Sequence, residues 1–185
     1  MSASPSRAAG SGAVVLIDGR SGAGKTSLAG ALAARTGAAL VHVEDYYPGW
    51  NGLAAGAEAI VSEVLEPWLR GESVALRRWN WHEDRFEPAG ALAAGGNLII
   101  EGCGAISRRS RPLADLAIWL EGEESLRRTR ARARDGDDAW WSPWREQEDA
   151  FYAAEGSPTL ADLILGPATG VDELMALLSE RGFAF

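Results

Sequence analysis

The chain has 185 residues, enough for one domain with a full core and too few for a second independent one. Its 26 acidic residues outnumber its 18 basic ones, and the net charge of −8 argues against a nucleic-acid or membrane-surface protein, because phosphate backbones and anionic lipids are met by a net basic face. Cys103 is the only cysteine, so no intramolecular disulfide is possible, and no apolar run reaches membrane-spanning length; the composition reads as a soluble, cytoplasmic protein.

In chain order, residues 1–12 are small and polar and read as a loose N-terminal tail ahead of one domain at 13–185. Val14-Val15-Leu16-Ile17 is a continuous aliphatic run, as expected of a strand buried on both faces, and Ser27 to Arg35 reads as the helix that follows. Between them, Gly19-Arg20-Ser21-Gly22-Ala23-Gly24-Lys25-Thr26 fits G-x-x-x-x-G-K-[ST]. Its glycines let successive backbone N–H groups turn inward on a phosphate, where the helix dipole adds positive potential. The motif therefore makes Gly19, Ser21, Gly22, Ala23, Gly24, Lys25, Thr26 and Ser27 the nucleotide-binding set, with the Lys25 ammonium on the β- and γ-phosphates and the Thr26 hydroxyl on Mg²⁺. Lys25 is the sole lysine in a chain that otherwise uses arginine, at the one place where a compact ammonium suits the task.

A second buried strand is expected over Ala38–Val43, with His42 as a satisfied core residue. It ends in Glu44-Asp45-Tyr46-Tyr47-Pro48-Gly49-Trp50-Asn51-Gly52-Leu53, a loop carrying acids and aromatics at a strand edge, where α/β proteins place ligand chemistry. A helix follows over 55–70. Residues 73–86 begin strand-like and become a polar, aromatic insertion containing Arg78, Trp79, Trp81 and His82, closed by Pro88 and Gly90. Asn97–Gly102 and Leu116–Leu120 are two further strands. The expected helix from Glu123 to Arg134 carries arginine at 127, 128, 130, 132 and 134. Like charges four residues apart repel by about 0.2–0.5 kcal/mol per pair unless an anion binds among them, which makes the segment a phosphate-facing candidate. The competing reading is a solvated face neutralised by Glu121, Glu123, Glu124, Asp135, Asp137 and Asp138. A helix over 140–154 carries Trp140, Trp141 and Trp144 at a spacing that packs inward. Leu160–Leu165 is a last strand and Val171–Glu180 a last helix. Five strands alternating with helices give a mostly parallel sheet covered on both faces.

The order of these motifs, from the glycine loop through Glu44-Asp45-Tyr46-Tyr47, Leu98-Ile99-Ile100-Glu101-Gly102 and Arg127–Arg134 to Ala161–Leu165, resembles the uridine kinase-like branch of the P-loop nucleoside and nucleotide kinases over roughly residues 13 to 180. The resemblance implies a three-layer α/β/α fold with a five-stranded sheet and a helical lid at about 122–145. The implied activity is transfer of the γ-phosphoryl of ATP, with Mg²⁺, to a hydroxyl of a small-molecule acceptor.

By that resemblance an acid after the second strand is the general base. Aligning the tyrosine pair selects Glu44, matching residue type selects Asp45, and Asp45 is preferred. Glu101 stands at the position of the metal-holding acid, with Thr26 as its metal partner. The lid arginines, Arg128, Arg130 and Arg134 in particular, close over the transferred group. The acceptor half falls to Asp45, Tyr47, Trp50, Arg78, Trp79 and Trp81.

In place of the Asp-His-Pro stretch by which uridine kinases read the nucleoside, this chain has Trp79-Asn80-Trp81-His82. The acceptor therefore reads as a nucleoside-like molecule other than uridine, or as a sugar or vitamin-like alcohol. A GTPase-type switch would carry an N-K-x-D motif, and with Lys25 the only lysine none exists. A regulatory ATP-binding protein without an acceptor is the remaining alternative.

Overall fold

The computed structural model describes residues 11–137, 139–183 and 185; residues 1–10 of the tail expected at 1–12 and the neutralising role of Asp138 lie outside the described residues. A five-stranded, all-parallel sheet runs in the order β2-β5-β1-β6-β7. Its strands are β1 (Ser11–Gly19), β2 (Ala39–His42), β5 (Gly96–Glu101), β6 (Leu116–Leu120) and β7 (Leu163–Leu165). β1 thus begins two residues inside the segment whose composition suggested a tail.

Side chains alternate across the sheet, and both faces are dry. Val14, Leu16, Leu98 and Ile100 join one core, while Val15, Ile17, Ile99 and Ile118 join the other. Helices α1 (Lys25–Thr36) and α7 (Val171–Glu180) cover the second face through Leu28, Leu32, Leu174 and Leu178. The first is covered by α2 (Leu53–Ala59), a π-helical segment Ile60–Leu65, α3 (Glu66–Leu69) and, through Trp144, α5 (Trp141–Glu155). No helix among the described residues is long and apolar enough to cross a membrane.

The chain leaves β1 and β5 toward opposite ends of the sheet, and the crevice at their carboxyl ends is where open α/β sheets bind ligands. Two segments differ from expectation. The aromatic insertion is an antiparallel hairpin, β3 (Val74–Asn80) with β4 (Arg85–Leu92), pairing Val74 with Leu92 and Asn80 with Arg85. Pro88 and Gly90 lie inside β4 rather than ending the segment. Pro88 sits at the register shift beside Leu76/Arg77 of a two-stranded ribbon, where its missing N–H interrupts no interior ladder. The Asn80 side chain closes the hairpin turn by accepting the N–H groups of His82 and Glu83 at 3.0 and 3.1 Å.

The expected strand over 160–165 is divided. Residues Ser157–Leu160 form a short helix, α6, and β7 starts at Leu163. Asp162 causes the break: its carboxylate accepts the Ala117 N–H and the Arg111 guanidinium, both at 2.7 Å, turning the chain before the strand begins.

Candidate active site

The glycine loop connects β1 to α1 and curls as the motif requires. Gly24 has φ +100° and Gly22 φ +79°, left-handed conformations that side-chain-bearing residues rarely adopt, and a Cβ on Gly22 would collide with the backbone of Arg127. The backbone of α4 (Glu124–Asp135) therefore rests directly on the loop. Lys25 is 7% exposed, and its ammonium lies 3.1 Å from the Arg20 carbonyl and 3.4 Å from Cys103 Sγ. Burial alone would lower its pKa; the acidic groups around it, Glu101, Asp18 and Glu148, outweigh that and raise it, so the charge is retained.

Glu101 ends β5 and is 2% exposed. Its Oε1 accepts the Thr26 hydroxyl at 3.2 Å and lies 2.5 Å from His42 Nδ1, while its Oε2 is buried without a hydrogen-bond partner. A buried carboxylate oxygen left open beside a threonine hydroxyl fits a hard cation that keeps most of its ligands from phosphate and water, as Mg²⁺ does. Among the described residues no group of three or more His, Cys, Asp or Glu side chains forms a metal cage of its own.

His42 is not a core residue. At the end of β2 its side chain is 32% exposed and bonded to Glu101, whose hydrogen bond raises the imidazole pKa. Strand alternation turns position 42 away from the apolar layer that holds Val41 and Val43.

A 3₁₀ turn, Val43–Tyr46, presents Glu44 and Asp45 at the same strand end. Water reaches Glu44, yet both carboxylates stand in a concave wall where protein atoms displace much of the solvent, and this raises the pKa of each. Their remaining neighbours differ in part. His42 and Glu101 act on both, Arg134 on Glu44, and Arg78 of the hairpin on Asp45.

One cavity of about 1080 Å³ gathers most of the expected site. The loop residues Ser21, Gly22, Gly24, Lys25, Thr26 and Ser27 line it together with Glu44, Asp45, Glu101, Arg130 and Arg134. Tyr47, Trp50, Arg78, Trp79 and Trp81 also line it, joined by Trp140 and Trp144. Gly19, Ala23 and Arg128 do not line it.

Helical phase separates the arginines. Arg130 and Arg134, four residues apart, share the cavity face of α4, whereas Arg128 projects on the far side. Arg127 is buried and spends its guanidinium on the Gly122 and Ser21 carbonyls, at 2.9 and 3.1 Å, so it is a structural arginine and not a phosphate contact. Arg134 pairs with Asp135 at 2.6 Å.

Trp141 and Trp144 pack inward as their spacing suggests, although Trp144 also forms cavity wall and stacks obliquely on Tyr47 at 5.1 Å. His82 stays exposed in the hairpin turn, outside the cavity lining. Cys103 is buried in the wall, and burial pushes its thiol up to about 12, so it remains protonated and unreactive at neutral pH.

Sequence reasoning missed three features. Asp18, fully buried at the end of β1, accepts the N–H groups of Gly19, Gly104 and Ile106 and the Tyr152 hydroxyl, tying the loop after β5 to β1 and α5. Burial pushes its carboxyl up to about 6. Glu148 of α5, 1% exposed, accepts the Ser21 N–H at 2.6 Å. A second hollow of about 380 Å³ lies between Gly24, Ser27, Leu28 and Ala31, Arg130, and the loop Gly166–Val171. The run Gly166-Pro167-Ala168-Thr169-Gly170 carried the only signal for it: a glycine-flanked loop at the carboxyl end of a strand.

The phosphate loop between a central parallel strand and its helix, in a sheet covered on both faces, is the fold of the P-loop kinases. No family model matches the chain, and no curated protein does. Among solved structures, the chain is similar to one described as a possible uridine kinase from Bacillus stearothermophilus, with TM-score 0.62 and 20% identity over 86% of this chain and 90% of that one. It is also similar to a shikimate kinase from Acinetobacter baumannii (TM-score 0.54, 14% identity, 91% of each chain). A gluconokinase from Sinorhizobium meliloti 1021 is a third likeness (TM-score 0.52, 18% identity, 91% of this chain and 93% of that one).

Proposed function

We propose that the protein is an ATP-dependent small-molecule kinase, transferring the γ-phosphoryl of ATP to a hydroxyl of a nucleoside-like acceptor. The observation that carries the reading is one cavity lined by the phosphate loop, by Asp45 and by a group of aromatic rings. The ATP phosphates lie on the loop with Lys25, and the hollow against Gly166–Val171 receives the donor base. Thr26 and Glu101 would hold Mg²⁺, which when bound would neutralise phosphate charge. Asp45 accepts the proton of the attacking hydroxyl; Arg130 and Arg134 meet the charge on the phosphoryl oxygens.

The aromatic lining supports a flat or ring-bearing acceptor. Trp50 and Trp81 are 56% and 45% exposed, yet they meet each other at 5.0 Å, and Trp50 stacks on Trp140 at 6.0 Å and 23°. Rings left in water at a cavity mouth offer about 1–3 kcal/mol to a base that stacks on them. A second reading, a polyhydroxy or carboxylic alcohol, draws support from the gluconokinase and shikimate kinase likenesses.

A thermal-shift screen with a non-hydrolysable ATP analogue and panels of nucleosides, sugars, vitamin-like alcohols and gluconate-type acids separates the readings, since a bound ligand raises stability by mass action. Stabilisation by ring-bearing alcohols alone is the expected result. Stabilisation by gluconate-type acids alone would favour the second reading.

A further inference from the structure

We propose that Glu148 and Arg127 are positioning residues that fix the backbone on both sides of Ser21 and so hold the phosphate loop in its anion-ready curl before any nucleotide arrives. The two residues sit on different helices, Arg127 on α4 and Glu148 on α5. Glu148 Oε1 accepts the Ser21 N–H at 2.6 Å, and Arg127 Nη1 donates to the Ser21 carbonyl at 3.1 Å. These two groups belong to consecutive peptide units, so the pair of side chains fixes both torsions at Ser21.

The first peptide unit also bears on Lys25. Its carbonyl, that of Arg20, accepts the Lys25 ammonium and the Ala23 N–H, both at 3.1 Å. Holding the Ser21 N–H toward Glu148 therefore holds the Arg20 carbonyl toward Lys25. Rotation of that unit would withdraw the carbonyl on which the ammonium rests. Gly22 follows at φ +79°, a residue that imposes little restraint of its own, so restraint has to come from outside the loop. An empty phosphate loop aims several N–H dipoles at one point, and their mutual repulsion favours relaxation of the curl.

Glu148 is built for this task. Besides Ser21 it accepts Trp144 Nε1 at 3.0 Å and lies 3.4 Å from Cys103 Sγ, and its second oxygen is 3.5 Å from Arg20, whose guanidinium is shared with Asp149 at 2.7 Å. A buried carboxylate is costly unless so paired, and its acceptor is spent on a backbone N–H rather than on a ligand. Arg127 is anchored in turn by Gly122 and lies over the Trp141 ring at 5.6 Å.

Amide hydrogen exchange on the free protein, with affinity for a non-hydrolysable ATP analogue by calorimetry, tests the assignment on Glu148→Ala and Glu148→Gln. In Glu148→Ala, exchange over 19–26 should quicken at least tenfold while β5 and β6 keep wild-type rates, and nucleotide affinity should fall 10- to 100-fold. In Glu148→Gln, whose amide oxygen still accepts the Ser21 N–H, both readouts should return to within threefold of wild type. Exchange that quickens evenly along the chain, a loop that keeps its wild-type rate in the alanine variant, or a glutamine variant with loop exchange tenfold above wild type would overturn the proposal. Should the alanine variant fail to fold, the glutamine variant decides by the same limits. A wild-type protein that binds no nucleotide would refute the donor reading, and the exchange data would still decide the clamp.

Discussion

Replacing Asp45 by asparagine removes the carboxylate while keeping its size. Asp45 and Glu44 stand side by side on one 3₁₀ turn, but their surroundings divide the work. Both feel His42 and Glu101, but Asp45 is also influenced by Arg78 on the hairpin, whereas Glu44 is also influenced by Arg134 of α4. A positioned general base contributes 10²- to 10⁴-fold, or about 2.7–5.5 kcal/mol of transition-state stabilisation. The expected result for Asp45→Asn is a kcat loss in that range with ATP affinity within threefold of wild type, because Asp45 touches no loop amide. Displacement of water raises the Asp45 pKa, and the base works only when deprotonated, so the acid limb of kcat/KM in the wild type should fall at a pH above the ordinary aspartate value and disappear in Asp45→Asn. Steady-state kinetics across pH for Asp45→Asn and Glu44→Gln is the assay. If Glu44→Gln loses 10²-fold or more while Asp45→Asn loses less than tenfold, the division of roles is reversed and the tyrosine-pair alignment is the correct one.

The lid arginines should differ by helical face: Arg130→Ala and Arg134→Ala each lower kcat at least tenfold, and Arg128→Ala, outside the cavity lining, stays within twofold in the same assay. Gly22→Ala should cost at least about 2 kcal/mol, a drop in Tm of roughly 4–8 °C, because the left-handed backbone and the closeness of the Arg127 backbone act together; a Tm within 1 °C of wild type would contradict the close approach. Stability should rise on mild acidification. The folded Asp18 pKa of about 6 exceeds its ordinary 3.8, so the native state binds the extra proton and stability is lost as pH rises through 6. Between pH 7.5 and 5.5 this contributes about 1 kcal/mol, a Tm rise of roughly 2–4 °C, and a falling Tm over that interval would contradict it.

The parallel sheet was legible because its strands are continuous apolar runs bounded by glycine and acid, as burial on both faces demands. The glycine loop was legible because phosphate binding restricts both residue type and spacing. What escaped depends on side chains meeting across the fold. Glu148 reads as one more polar residue on a helix until the fold brings it 2.6 Å from an amide 127 positions away. His42 reads as core because a four-residue strand gives too few alternations to distinguish the face that meets Glu101 from the one that packs inward. The hairpin was hidden by Pro88 and Gly90, ordinarily turn residues, which a two-stranded ribbon tolerates. For the arginines, composition marked the helix; phase along it turns Arg128 away from Arg130 and Arg134, whereas Arg127, on their side of the helix, is set apart by its burial and its bonds to the Gly122 and Ser21 carbonyls.

Acceptor-dependent ADP formation tests the central claim most directly. With ATP and Mg²⁺, a coupled assay across nucleosides, sugars and vitamin-like alcohols should give turnover with at least one ring-bearing alcohol. Lys25→Ala, which removes the only ammonium side chain reaching the phosphates, should abolish that turnover. ADP release that is unchanged by every acceptor, or turnover that survives Lys25→Ala, would contradict the account.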